Sequence, residues 1–144
     1  FVPSRGLGDV YKRQLNLVQA FINEEHSEDL KNDFITPLKK SIEHLQAALM
    51  FFMQNGLKNP LSAVSGATDF LHLVGLVSLG FIWSKKAQSA KEKLKDVSAN
   101  KNFLEAKILT GSYFMHRQLP ETKLRLDRIL TGEKQVMSLA VDQF

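Results

Sequence analysis

The stretch NPLSAVSGATDFLHLVGLVSLGFIW, residues 59–83, decides the fold class. Asn59 followed by Pro60 is typical of a helix that begins with a capping side chain and has proline at its first helical position. Apolar residues then occupy nearly every side of the helical period over residues 70–83, so we expect this helix to be the most buried one. The run contains His72 and is shorter than the ~20 apolar residues that span a bilayer. It therefore predicts a core helix and no membrane span.

Apolar residues recur at helical spacing on both sides of this stretch, and no part of the chain alternates with a period of two. Thr36 and Pro37 predict the start of a second capped helix, and Gly56 suits a left-handed position at its end. Pro120 must interrupt the helical pattern that precedes it. The sequence thus predicts an all-α domain, an antiparallel bundle of four to five helices.

The connections and ends of the bundle follow from the polar and apolar runs between these signals. We expect a first helix from Leu15, a polar connection over residues 26–33, and a loop over residues 96–102 with Asn102 as the next cap. Helices are expected over residues 103–119 and 122–130. The apolar segment SLAVDQF, residues 138–144, is expected to dock on the body of the domain.

Composition excludes several classes of function. The chain has 144 residues, 44% apolar and 24% charged, which is typical of one globular domain. It has no cysteine, so a disulfide, a thiolate metal site and a cysteine nucleophile are all excluded. Half of the formal net charge of +4 comes from the first 14 residues, where Arg5, Lys12 and Arg13 outnumber Asp9. The rest is nearly balanced, so nucleic acid is not the expected partner.

The first 14 residues, FVPSRGLGDVYKRQ, show no regular pattern and no apolar core of a signal peptide. DVYKRQ looks like one reading frame of a transposase adapter used in preparing sequencing libraries. We interpret residues 1–14 as a disordered adapter scar and residues 15–144 as a domain truncated from a longer protein. The alternative is a disordered basic tail.

Asp69 and His72 are the most suggestive pair of functional side chains, because their spacing places both on one face of a helix. A bundle that holds metal needs two such motifs and further inward carboxylates, and the sequence has only one. We expect the two groups to bond to each other or to a neighbouring helix, and we predict no catalytic, cofactor-binding or metal-binding residue.

The glycines of the same helix do not form a phosphate-binding loop, because no strand precedes them. Glycine inside a helix costs about 1 kcal/mol relative to alanine, which suggests a packing reason for each. We therefore predict that one set of residues serves packing or an interface: Gly66, Asp69, His72, Gly75, Gly80 and Trp83.

Three stretches occur in an order that is typical of one enzyme family: GATDFLHLVGL (residues 66–76), NFLEAKILTGSYFMHRQLPET (102–122) and VMSLAVDQF (136–144). Together they resemble the C-terminal extension of one branch of the bacterial acyl-CoA dehydrogenases, which includes the methylmercaptopropionyl-CoA dehydrogenases. The resemblance extends from Leu15 to the end of the chain.

The resemblance implies a cytoplasmic parent enzyme that oxidises an acyl-CoA at the α,β bond. FAD accepts the hydride there, and an electron-transferring flavoprotein acts downstream. In this branch the catalytic Glu precedes the extension, so it corresponds to no residue of this chain, and no cofactor is expected in the fragment. The expected partner is the missing catalytic domain or another subunit of a homo-oligomer.

Two other functions remain open at this point. One is a stand-alone helical module that binds a partner protein without enzymatic activity. The other is a peripheral membrane protein that uses Phe and Trp side chains beside Lys85 and Lys86.

Overall fold

The computed structural model describes residues 2–144, with side chains from residue 9 onward. All regular elements in this part of the chain are helical, which confirms the predicted all-α bundle. The α-helices are α1 (Val2–Asn23), α2 (Glu28–Leu30), α3 (Thr36–Asn55), α4 (Pro60–Lys93), α5 (Lys101–Tyr113), α6 (Glu121–Leu130) and α7 (Lys134–Met137). Two π-turns (Lys31–Ile35 and Phe114–Gln118) and a 3₁₀ turn (Val141–Gln143) complete the chain.

Each π-turn ends two residues before a proline. In the first, the N–H of Thr36 donates to the carbonyl of Lys31, five residues back. In the second, the N–H of Leu119 donates to the carbonyl of Phe114 over 2.9 Å. Proline has no N–H and crowds the carbonyl four residues back, so a wider turn lets the chain stay helical up to the proline.

The first π-turn corrects two predictions. Thr36 is not a helix cap, because the helical path already begins at α2, where the Ser27 hydroxyl accepts from the N–H of Leu30 over 3.4 Å. The polar connection is accordingly shorter than residues 26–33. Charged side chains made the segment look irregular, whereas Leu30 and Phe34 are buried and hold it on the core.

The other caps are partly as predicted. Asn59 caps α4 by accepting from the N–H of Leu61 over 3.2 Å, and Pro60 follows it. Asn100, not Asn102, caps α5, and it accepts from the N–H of Phe103 over 3.1 Å. Gly56 has a φ of −64° and so does not adopt the left-handed conformation. That conformation is adopted by Gly132, with a φ of 68°, after α6.

Helix α1 differs from the expected disorder of residues 1–14, since it begins at Val2. Tyr11 packs this part of the helix on α4, because the centre of its ring lies 5.7 Å from that of Phe70 in an edge-on contact. Tyr11 also precedes Leu15 by four positions, so it extends the same helical stripe. Residue 1 lies outside the described residues. The adapter origin of this segment stays a prediction.

The core lies where α4 meets α3, α5 and α6. The largest fully buried apolar side chains come from α3, α4, α6, the two π-turns and the residue after the second π-turn: Phe34, Leu38, Ile42, Leu73, Met115, Leu119 and Ile129. Helix α4 is central, but only one of its faces is buried. The sequence predicted that α4 is the most buried helix. This prediction is wrong for the opposite face of α4, where Leu71 is 70% exposed.

Helix α4 is long and apolar enough to cross a membrane by length and composition, because an 18-residue window has a mean hydropathy of 1.4. The sequence predicted no membrane span because the apolar run over residues 70–83 is too short to cross a bilayer. The helix itself is longer and extends over Pro60–Lys93. Three other helices pack on α4, and Asp69 pairs with Arg125 on its side. These contacts favour a bundle helix, since a charged pair is costly in hydrocarbon.

The C-terminal segment, residues 138–144, does not dock on the body as expected. Val141 is 91% exposed and Phe144 is 92% exposed. Glu133 binds this end of the chain to the start of α4 by hydrogen bonds to Asn59 and Ser62. Beyond them, the apolar side chains of the segment lie in solvent.

Candidate docking surface on α4

One face of α4 presents apolar and small side chains to solvent. Its residues follow one another at intervals of three and four, so they form a single stripe along the helix. Val64 is 71% exposed and Leu71 is 70% exposed. We call this stripe the α4 face, and its members are Val64, Thr68, Leu71, Gly75, Ser78 and Ile82. The stripe thus alternates three apolar side chains with the small residues Thr68, Gly75 and Ser78.

The three predicted packing glycines divide between two roles. A Cβ on Gly66 would lie 3.0 Å from the Phe52 ring, and one on Gly80 would lie 3.1 Å from Leu119. These two glycines therefore permit close packing inside the domain. A Cβ on Gly75 would meet no atom within 4 Å, so Gly75 serves no such contact and lies open on the α4 face.

Asp69 and His72 do not bond to each other. The Arg125 Nη1 donates to Asp69 Oδ1 over 2.9 Å, and Arg125 also donates to Glu121 over 2.6 Å. The bond to Asp69, followed by the bond to Glu121, raises the pKa of Arg125. His72 is exposed beside the α4 face. Within residues 2–144, no group of three or more His, Cys, Asp and Glu side chains is placed to hold a metal ion.

Trp83 packs inside the domain and is not part of the exposed face. A Cβ on Gly111 would lie 3.1 Å from its ring, so Trp83 fills the contact between α4 and α5. Lys86 Nζ lies 5.0 Å from the centre of the Trp83 ring, and Lys85 Nζ lies 5.3 Å from that of Phe81. Both rings are partly buried, which disfavours their use against a membrane.

An apolar cleft of about 280 Å³ opens between α1, α3 and α4, next to the α4 face. Its lining side chains are uncharged. We call it the α1–α4 cleft, and its walls include Leu15, Val18, Leu45, Val74, Val77 and Phe81. The sequence analysis missed this cleft, because periodicity assigns these residues to buried stripes without showing where the stripes fail to meet.

Residues 14–140 match the family described as "Acetyl-CoA dehydrogenase C-terminal like". The chain belongs to this family. No curated protein matches the chain. The family match supports the resemblance to acyl-CoA dehydrogenases and covers the helices that form the α4 face and the α1–α4 cleft.

The α1–α4 cleft of this acetyl-CoA dehydrogenase C-terminal-like domain does not fit FAD. The pyrophosphate of a dinucleotide needs convergent N–H donors or basic side chains. The α1–α4 cleft offers walls of leucine, valine and phenylalanine instead, and it is smaller than the 300–1,000 Å³ typical of ligand pockets. We therefore derive no flavin chemistry from this cleft.

A histidine and a hydroxyl meet between α3 and α6, but the arrangement is structural. His44 Nδ1 lies 2.9 Å from Thr122 Oγ1, and Thr122 is only 1% exposed. Burial, with the positive charges of Lys40 and Lys123, lowers the pKa of His44. The ring and the buried hydroxyl satisfy each other at the wall of a small cleft of about 210 Å³.

Glu133 binds the start of α4 and ties the C-terminal end of the domain to it. Its carboxylate accepts from Asn59 Nδ2 and, over 2.5 Å, from Ser62 Oγ. The bond from Ser62 is the main cause that lowers the pKa of Glu133 below its ordinary value of 4.5. A carboxylate beside a helix N-terminus is also favoured by the helix dipole.

We expect the stability contributed by Glu133 to be lost in acid. Because its pKa is lower in the folded state, its carboxylate stabilises the domain fully above pH 4.5, and this contribution falls as the pH drops through the folded pKa. Urea unfolding of the wild type and of Glu133→Gln should differ most at neutral pH and converge in acid. Both proteins contain the same other acidic groups, such as Asp96. The contributions of those groups therefore cancel in the difference between the two unfolding free energies. A difference that does not change with pH would contradict this role.

Proposed function

We propose that the chain is the C-terminal helical module of an FAD-dependent acyl-CoA dehydrogenase, of the branch that includes the methylmercaptopropionyl-CoA dehydrogenases. The module is not catalytic alone. It packs on the catalytic core or a neighbouring subunit of a cytoplasmic enzyme. FAD, the acyl-CoA and the electron-transferring flavoprotein bind to the catalytic part.

The observation that carries this proposal is the exposed α4 face in a member of this family. Leu71 and Val64 remain mostly in solvent although α4 is the central helix of the bundle. Covering such side chains is favourable by about 25 cal/mol for each Å² of apolar surface removed from water. The small residues Thr68, Gly75 and Ser78 between them allow another backbone to approach closely.

Gly75→Leu in the enzyme encoded by the intact gene tests the proposal. The new side chain would occupy the space needed by the partner, so we expect a smaller assembly or a lower melting temperature. Light scattering after gel filtration and thermal unfolding measure the two. An enzyme with unchanged oligomer size and unchanged melting would contradict docking through this face.

A comparison of Gly75→Leu with Gly80→Leu in the isolated chain provides a matched control. A Cβ added at Gly75 meets no neighbour within 4 Å, and Gly75→Leu removes a helical glycine, so we expect it to be neutral or to stabilise the chain by up to about 1 kcal/mol. Gly80→Leu crowds Leu119 and Leu38, and overpacking of this kind costs about 1–3 kcal/mol. Urea unfolding should separate the two variants. Equal destabilisation would mean that Gly75 also packs inside the domain.

A further inference from the structure

Asn55 and Gly56, at the end of α3, form a pair with a chemistry that no other asparagine of the chain shares. Every other asparagine is followed by a residue with a side chain, which hinders attack by the backbone nitrogen of that residue. Gly56 has no side chain, so its nitrogen can attack the side-chain carbonyl carbon of Asn55 once the backbone allows it. This attack forms a succinimide and is the first step of deamidation.

The reaction needs water and no other reactant. The Gly56 nitrogen bonds to Cγ of Asn55 and loses its proton, while the bond from Cγ to Nδ2 breaks and the amide leaves as ammonia. Water then opens the succinimide at either of its carbonyls, which gives aspartate or isoaspartate. Leu57, the next residue, is 92% exposed, so solvent water reaches this end of the helix.

The fold holds both reacting groups in helical hydrogen bonds. The Gly56 N–H donates to the carbonyl of Phe52 over 2.8 Å, and Asn55 Nδ2 donates to the carbonyl of Phe51 over 2.9 Å. Gly56 itself has helical dihedral angles, a φ of −64° and a ψ of −29°. Closing the succinimide ring requires Asn55 to leave the helical range of ψ and both hydrogen bonds to break. The last turn of α3 therefore keeps the pair in an unreactive arrangement.

This turn is anchored less firmly than the turn before it. The centre of the Phe52 ring lies 5.2 Å from that of Phe70 on α4, which fixes the preceding turn to the bundle. No side chain of residues 53–58 is buried, and Met53 is 72% exposed. A segment with few buried contacts opens locally at a lower cost than the whole domain. The last turn of α3 can therefore open while the rest of the bundle stays folded.

We propose that Asn55–Gly56 is a site of spontaneous deamidation, and that local opening of the last turn of α3 controls its rate. The product weakens that turn, because a carboxylate cannot donate to the Phe51 carbonyl and adds a negative charge at the negative end of the helix dipole. Isoaspartate also adds a carbon atom to the main chain before Asn59, whose N–H donates to the Asn55 carbonyl over 2.8 Å. The proposal does not depend on the proposed function.

Peptide mapping by mass spectrometry of the full chain, incubated at neutral pH, measures the rate at each asparagine. In guanidinium chloride, Asn55 should react faster than every other asparagine. In the folded chain we expect the rate at Asn55 to be about tenfold or more lower than in guanidinium chloride, because only the open turn reacts. Asn55→Gln is the control for the assignment and should remove the product, since the longer side chain closes a ring much more slowly.

Two matched glycine substitutions separate local opening from global unfolding. Gln54→Gly weakens the last turn of α3, and Gln46→Gly weakens the middle of the same helix, both at exposed positions. Each folded rate is divided by the rate of the same variant in guanidinium chloride. We expect this ratio at Asn55 to rise about two- to threefold for Gln54→Gly and to stay unchanged for Gln46→Gly.

Three results would overturn the proposal. Equal acceleration by Gln54→Gly and Gln46→Gly would show that global unfolding, and not the last turn, controls the rate. Equal rates at Asn55 in the folded and unfolded chain would show that the turn gives no protection. A product that persists in Asn55→Gln would place the modification elsewhere in the chain.

Discussion

Phe34→Ala is expected to lower the free energy of unfolding of the isolated chain by about 3–5 kcal/mol, the usual cost of truncating a buried phenylalanine. Phe34 lies in the first π-turn and is 0% exposed. Its ring packs closely against Gly111 of α5, where an added Cβ would lie 2.9 Å from it. Chemical denaturation by urea measures the loss. Phe103→Ala is the control, since Phe103 is 55% exposed and should change stability little.

The contact between Phe34 and Gly111 can be isolated by a double-mutant cycle. Gly111→Ala should destabilise the wild type, because the methyl group meets the Phe34 ring. In the Phe34→Ala background that ring is absent and only the Trp83 ring, 3.1 Å from the added Cβ, still crowds the methyl group, so the same substitution should destabilise the chain less than it does the wild type. Equal effects of Gly111→Ala in the two backgrounds would show that the π-turn does not pack on α5 as described.

Leu71→Asp is expected to abolish most of the association between this domain and the catalytic part of the proposed enzyme. The carboxylate would be buried without a partner at the centre of the α4 face, which costs about 2 kcal/mol or more, roughly a 30-fold weaker affinity. Because Leu71 is 70% exposed, the isolated chain should keep its stability. Calorimetric titration of the chain into a catalytic domain expressed from the intact gene, ending before Leu15, measures the affinity.

Met53→Asp is the matched control for Leu71→Asp. Met53 is 72% exposed on α3 and lies off the α4 face, so the same charge there should leave the affinity unchanged. Equal binding by the wild type and Leu71→Asp would contradict docking through the α4 face. Equal weakening by both variants would point to a nonspecific effect of the added charge.

The sequence predicts the helices well where local signals and apolar spacing agree. Asn59 with Pro60 marks the start of α4 because a cap and a proline act within one turn. Thr36 with Pro37 is the same local pattern, yet the chain is already helical there. The difference lies in tertiary packing, because the buried Phe34 and Leu30 hold the preceding segment as a helix.

The docking surface was predicted only in part. Glycine spacing identified Gly66, Gly75 and Gly80 together, because all three lie on α4. Only the neighbouring helices decide that Gly66 and Gly80 pack inward while Gly75 lies in solvent. The pairing of Asp69 with Arg125 joins residues far apart in the chain, and no local pattern encodes such a contact.

Apolar periodicity also does not predict that the C-terminal segment is exposed or that the cleft exists. An apolar run such as residues 138–144 indicates that the segment tends to be covered, but not which surface covers it. The cleft arises where the stripes of α1, α3 and α4 leave space between them. Its existence depends on the relative positions of three helices, which the spacing of residues along one helix does not determine.

The most direct test of the proposed function is to amplify and sequence the original DNA upstream of the codon for Leu15. We expect one open reading frame that encodes a flavin-binding acyl-CoA dehydrogenase core, with a glutamate placed to remove the α-proton, and that continues into this domain. A start codon close to Leu15, with no such core in frame, would contradict the proposal and would instead identify a stand-alone helical interaction module.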